Sequence, residues 1–370
     1  MPVFEQGYKH WDGDLSGHAW RWWTIARQGV RIAMQGWLLR ILTIMALLPA
    51  LVLVCVFVLW GFLEQQAEWA LPIARMFFPS EVVADPAAYR IIVWTLAFHF
   101  FFKFELFVSM ILVLLVGPGL ISQDLRFNAV TLYLSRPLYR WDYFLGKLGV
   151  IGWFLALVAI LPAVVAYLLG VLFSFKLSVV ADTWHLLLGC VGYGLVIVLS
   201  AGTLMLALSS LSRSSRYVAS FWVGIWLVSS MVAGVMTGIH GEQAGRAAMK
   251  AAVLDARQQP GNPMPAHIEQ WRRRQAAEME AYLDDWRPMI AYTGNLERVG
   301  RALLGVDAVV DRLADEVVGR RGSPEGRVMT RVIFSGPRFP WEWSALILLA
   351  LFGASLWLLT TRVRTLDRLS

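Results

Sequence analysis

Of the 370 residues, 58% are hydrophobic, 18 are tryptophan and only 16% are charged, against about 25% charged in an ordinary soluble domain. This excludes water as the main solvent of the folded chain. The formal charge of +7 does not point to nucleic acid, because the basic residues are scattered at the ends of apolar runs rather than gathered on one stripe.

Residues 1–40 form a polar and aromatic tail. From Leu15 onward Trp20, Arg21, Trp22, Trp23, Arg27 and Arg31 crowd a segment of helical character. Indole and guanidinium groups together favour the headgroup layer, so an amphipathic helix lying on the membrane surface is expected. No small-residue cleavage site follows the first apolar run, and that run is expected to stay as an anchor.

Ile41 to Leu63 carries no charge over 23 residues, about 35 Å as helix against a hydrocarbon core of about 30 Å. It spans. Pro49 can kink it, and Trp37 and Trp60 flank it as expected interfacial anchors. The loop Glu64 to Arg90 holds four acids and two bases. Residues 91–121 exceed one straight span and contain His99, Lys103 and Glu105. One long helix protruding into the outer interface, with Lys103 and Glu105 near the headgroups, accounts for them; the alternative is that all three line a polar substrate path. His99 and Lys103 share a helical face and Glu105 points elsewhere. Cys55 and Cys190 each lie in an apolar run and read as small buried hydrophobes.

Ser122 to Lys147 is charged, aromatic and broken by Arg136-Pro137 between two apolar spans. Further spans are expected at 148–170, 185–211, 217–239 and 343–361, with the basic turn Ser212 to Arg216 between the fourth and fifth. Segments 1–40, 122–147, 212–216 and 362–370 carry 14 Lys/Arg, and the short loops 64–90 and 171–184 carry 3. Short loops on the cytoplasmic side collect positive charge, so six spans with both termini cytoplasmic is the consistent arrangement.

Residues 240–342 then form an extracytoplasmic helical insertion between spans 5 and 6, with helices expected near 242–258, 265–287 and 295–319. In the third, Leu296, Val299, Leu303, Val306, Val310, Leu313 and Val317 step by three and four behind Asn295, a fitting N-cap. Such a seam needs a neighbour: the other loop helices, the bilayer surface, a second copy or an extracytoplasmic partner protein.

The 122–147 stretch resembles the first cytoplasmic loop of ABC-2-type transporter permeases. The residues that carry the resemblance are Asp124, Ser135, Arg136, Pro137, Arg140, Tyr143, Gly146 and Lys147. Asn128 departs from it, standing where the commoner pattern has Gly. The resemblance implies a coupling helix seated in a separate ATP-binding subunit, with Asp124, Arg126, Asn128, Ser135, Arg136, Pro137 and Arg140 as coupling contacts. It also implies two ATP-binding subunits holding ATP and Mg, and a second copy of this permease or a related one. The chain itself lacks GxxxxGK[ST], HExxH, CxxC and GxSxG, so no cofactor and no catalytic role are expected in it.

The sequence thus describes an all-α integral membrane protein that is expected to act as a transporter permease. Two other classes compete: a non-transporting scaffold that tethers an extracytoplasmic assembly through 240–342, and an intramembrane enzyme using His99, Lys103 and Glu105.

Overall fold

The computed structural model describes residues 20–129, 140–258, 266–315 and 324–367. Among these there is no strand, and six helices are long and apolar enough to cross a membrane: Trp37–Glu64, Pro86–Arg126, Arg140–Ser174, Ser178–Leu211, Ser215–Ala251 and Trp341–Arg362, here spans 1 to 6. The described part is an all-helical, multi-pass membrane protein.

Each interruption of a span has a local chemical cause. Span 1 breaks after Met45 and restarts at Leu48 with Pro49 in its first turn, where a missing N–H costs nothing. The long helix of span 2 breaks after Val116, and Gly117-Pro118 leads into its short last helix, Gly119–Arg126, which opens the loop to span 3. Span 3 carries a π-helical turn at Ala156–Ile160, just before Pro162, whose absent N–H forces the widened turn. A second π turn, Gly224–Val228, lies in span 5.

The bundle is bolted at the end away from the 122–147 loop. Arg90 is buried and makes two 2.7 Å bonds to the Glu64 carboxylate and one of 2.7 Å to Asp182, which ties spans 1, 2 and 4. Trp60 donates to the same Glu64 at 2.9 Å. This corrects the expectation for Trp60: it is wholly buried, because its N–H serves this cluster rather than a headgroup. Cys190 is buried as expected, whereas Cys55 is exposed on the outer face of span 1.

Outside the spans, helix α1, Arg21–Ala33, leans against the start of span 3. Helix α2, Ala266–Leu283, pairs with the far end of span 5. Helix α3, Tyr292–Leu304, and helix α4, Val306–Leu313, come next. A further helix, α5, Pro324–Phe334, was not foreseen.

Three expectations about the insertion need correction. Span 5 does not stop near 239: one helix, Ser229–Gln258, runs on, since His240-Gly241-Glu242 contains no proline and Glu242 pairs with Arg246 one turn later. The helix expected at 295–319 is broken at Gly305, whose φ of 68° is open to glycine at no steric cost. Asn295 is not an N-cap; it lies one turn inside α3, where its amide donates to the carbonyls of Met289 and Ala291 at 2.7 and 3.0 Å.

Helix α3 also lies deeper than an external loop would. It packs against spans 2, 4 and 6. Tyr292 shares a 2.9 Å hydrogen bond with Ser200, eleven residues or about 16 Å of helix short of the end of span 4. Gly300 sits against the ring of Tyr193, where a Cβ would collide. The apolar stripe therefore finds its neighbour in its own chain: Leu296, Val299, Val306 and Val310 are buried, Leu303 is 42% exposed, and Leu313 is half-buried. Val317 lies outside the described residues.

Candidate functional site

The loop between spans 2 and 3 begins with the helix Gly119–Arg126, which cannot supply partners for its own first amides. Span 4 supplies them. The Ser209 hydroxyl accepts from the amides of Ile121 at 3.1 Å and Ser122 at 3.0 Å, and donates to the Pro118 carbonyl at 2.9 Å. Ser122 in turn shares a 2.9 Å hydrogen bond with Ser215, the first residue of span 5. A capping group that normally comes from the preceding residue here comes from another span.

The far side of the same helix is held by span 3. Asp124 accepts from the Tyr143 hydroxyl at 2.8 Å and pairs with Lys147 at 2.7 Å, and the Lys147 ammonium lies 5.5 Å from the centre of the Tyr143 ring. The side chains of Lys147 and Asp124 are only 12% and 16% exposed, so this pair is screened little and each charge depends on the other. Gly146 allows the final contact: a Cβ there would stand 2.7 Å from the Cβ of Ile25 and 3.0 Å from the carbonyl of Trp22. Helix α1 thereby lies flush on span 3, with Ala26 buried and Trp20 and Trp23 exposed.

Of the residues expected to couple to an ATPase, Asp124 is thus an anchor inside the chain. Arg126 is exposed, its guanidinium 5.6 Å from the ring centre of Phe127. Asn128 has a left-handed backbone, φ 55°, a conformation Asn tolerates and Gly favours, which accounts for the departure from Gly at this position. Arg140 opens the helix of span 3. Ser135, Arg136 and Pro137 lie outside the described residues.

His99, Lys103 and Glu105 part company. Lys103 reaches Glu297 of α3 at 3.5 Å, and His99 is buried one turn away on the same face. Glu105 is fully buried on another face, and neither carboxyl oxygen has a hydrogen-bond partner among the described residues. Around Glu297 a polar cluster closes off α3: Arg298 donates to Asp307 and to the carbonyl of Phe339, and Arg301 to the carbonyl of Pro337. Burial, and next to it Arg298, lower the Arg301 pKa from its ordinary value against the pull of Asp307.

Sequence reasoning missed Ser209 and Ser215, whose only signal was a serine-rich turn at the end of span 4. It also missed the Glu64, Arg90 and Asp182 cluster, although two acids and one base stand at neighbouring span ends.

These features define a class: a polytopic helical membrane protein whose first basic loop is fastened to spans 3, 4 and 5 and whose last long loop folds back among the spans. A family model for ABC-2 family transporter proteins matches residues 23–294, and the chain belongs to that family. The match runs from α1 through span 5 to the start of α3 and includes the 122–147 loop. It makes the chain a membrane-spanning permease of an ABC transporter and implies a separate ATP-binding partner subunit. No curated protein matches the chain at a significant level.

Proposed function

We propose that this permease exports its substrate, and that the 122–147 loop on the cytoplasmic face receives the stroke of the ATP-binding subunit. The assembly would contain two such subunits, each binding ATP and Mg, and a second copy of this chain or a related permease. The observation that supports this reading most is the anchoring of Gly119–Arg126. Held by Ser209, Ser215, Tyr143 and Lys147, the helix has no freedom to move alone. A push on the loop therefore displaces the ends of spans 3, 4 and 5 together, which is how a lever rather than a tether behaves.

On this reading Arg126, Arg136 and Arg140 face the partner, and a substrate route along His99, Lys103 and Glu105 would pass Glu297, the ion-pair partner of Lys103. Arg136→Glu in the complex with its ATP-binding subunit is the test. Membrane insertion should persist and substrate-stimulated ATPase activity should vanish; an unchanged rate removes the coupling assignment. Labelling of a single cysteine placed at position 126 from outside intact cells would overturn the orientation.

A second reading draws support from the hairpin of Ser229–Gln258 and α2, which is long enough to tether an extracytoplasmic protein. A scaffold of that kind would purify without any nucleotide-binding protein.

A further inference from the structure

A groove of about 910 Å³ opens on the flank of the bundle, between spans 1 and 2. Leu48 to Val56 form one wall and Tyr89 to Phe104 the other; the loop residues Phe77 to Val82 cover it, and Leu313, Thr330 and Phe334 of the insertion close one side. Among the described residues Tyr89 and Thr330 are the only polar side chains in the lining, and the Thr330 hydroxyl is already spent on the Gly326 carbonyl at 2.9 Å. Water gains nothing in such a space. Hydrocarbon chains match it, and two walls belong to membrane spans, so chains are the medium already next to it.

Helix geometry sets one charge just beyond the apolar lining. Arg327 precedes Thr330 and Phe334 by three and seven residues and so stands on the same face of α5, about 10 Å along the helix from Phe334. Its Nε is enclosed by protein, and among the described residues its guanidinium forms no ion pair. The nearby carboxylate of Asp311 is taken by Arg331 and Arg338, each at 2.8 Å. A guanidinium without a counter-ion among the described residues, beside an apolar groove, is complementary to an amphiphile with an anionic head.

We propose that this groove is a binding site for one anionic phospholipid of the surrounding bilayer, its acyl chains lying along spans 1 and 2 and its phosphate on Arg327. The bound lipid joins α5 to the spans, where the Phe100 and Phe334 rings, 6.0 Å apart, are otherwise the aromatic contact across the gap. The inference is independent of export: it holds equally if the chain transports nothing.

The test uses the full-length chain, purified in mild detergent and exchanged into mixed micelles of phosphatidylglycerol and phosphatidylcholine, then read by native mass spectrometry. The wild type should keep one phosphatidylglycerol per chain in preference to phosphatidylcholine by about fivefold, the contribution of one basic residue at a charged membrane surface. Arg327→Gln should retain a lipid but lose that preference. Leu96→Trp, which fills the groove, should retain neither lipid; Val52→Trp does the same from the opposite wall, should Leu96→Trp elute as misfolded protein. Equal lipid retention by a folded groove-filled variant, or an unchanged preference in Arg327→Gln, overturns the site. Loss of the lipid on ATP turnover with the ATP-binding subunit would make the occupant cargo rather than a resident lipid, and would equally overturn the proposal.

Discussion

Ser209 of span 4 caps Ser122 of the inter-span loop: its hydroxyl oxygen lies 3.0 Å from the Ser122 amide and 3.1 Å from that of Ile121, while its own proton goes to Pro118. A helix that would otherwise present bare amides is thereby welded to a different span. Ser209→Ala leaves two buried donors short of an acceptor and should cost about 1 to 2 kcal/mol. The expected result is a lower melting temperature in detergent and a weaker response of the partner ATPase to substrate. Ser209→Thr keeps the hydroxyl and should restore most of both.

The Asp124 and Lys147 pair gives a sharper test, because both members are shielded from water. Among the described residues Lys147→Met leaves Asp124 with only the Tyr143 hydroxyl, and removing one member of a buried pair costs up to about 3 to 5 kcal/mol. Here the figure should fall at the lower end, since some exposure remains. The combined Asp124→Asn, Lys147→Met protein should melt higher than Lys147→Met alone. A melting curve that shows the two substitutions simply adding would deny the coupling.

Gly146 tests the seat of α1. A valine there drives side-chain carbons into Ile25 and the Trp22 carbonyl, and nothing in two packed helices can give by that much. Limited proteolysis should cut within residues 20–35 of Gly146→Val far faster than in the wild type, with the six spans still inserted. Equal cutting rates would show that α1 does not depend on this contact.

At the opposite end, Arg90→Leu strips two carboxylates, Glu64 and Asp182, of their shared cation. Glu64 is buried and should account for most of a loss of about 3 kcal/mol or more. Adding Glu64→Gln should recover part of it, since a neutral amide tolerates the site better than an unpaired charge. Thermal unfolding of the three proteins side by side decides the matter.

Acid should loosen the junction between α2 and α3. Burial, the largest influence on Asp285, raises its pKa, but the amide and guanidinium of Arg287 together with Thr237 more than offset it, leaving the carboxyl below its ordinary value of 3.8. A lowered folded-state pKa means that the carboxylate's contribution is complete above the ordinary value and disappears as pH falls through the folded one. Hydrogen exchange at residues 284–292 should therefore rise on acidification below about pH 4, and Asp285→Asn should flatten that dependence.

The spans could be read from sequence because the bilayer imposes a strong and local rule: about twenty apolar residues in a row have few other places to go. The loop between spans 2 and 3 was legible for a related reason, since charge, aromatic residues and proline between two apolar runs have to lie at a membrane face. The insertion was not. The seam from Leu296 to Val310 called for a neighbour, but a repeat of three and four residues says only that one face is apolar, not what covers it. Likewise Gly305 looked like one residue within a continuous repeat, and its left-handed backbone is a property of the fold around it.

The sequence by itself determined that this chain lives in lipid and crosses it six times, because hydropathy and charge act residue by residue along the chain, and the residues of the 122–147 loop added the resemblance to ABC-2 permeases. Only the tertiary structure decided that Ser209 fastens that loop, that Glu64 and Asp182 share Arg90, and that Tyr292–Leu304 folds back among the spans against Ser200 and Tyr193. Those partners are separated by between about 25 and about 105 positions in the chain. A short polar side chain does not encode in its own neighbourhood which distant hydroxyl or guanidinium will meet it; close packing of the helices sets that.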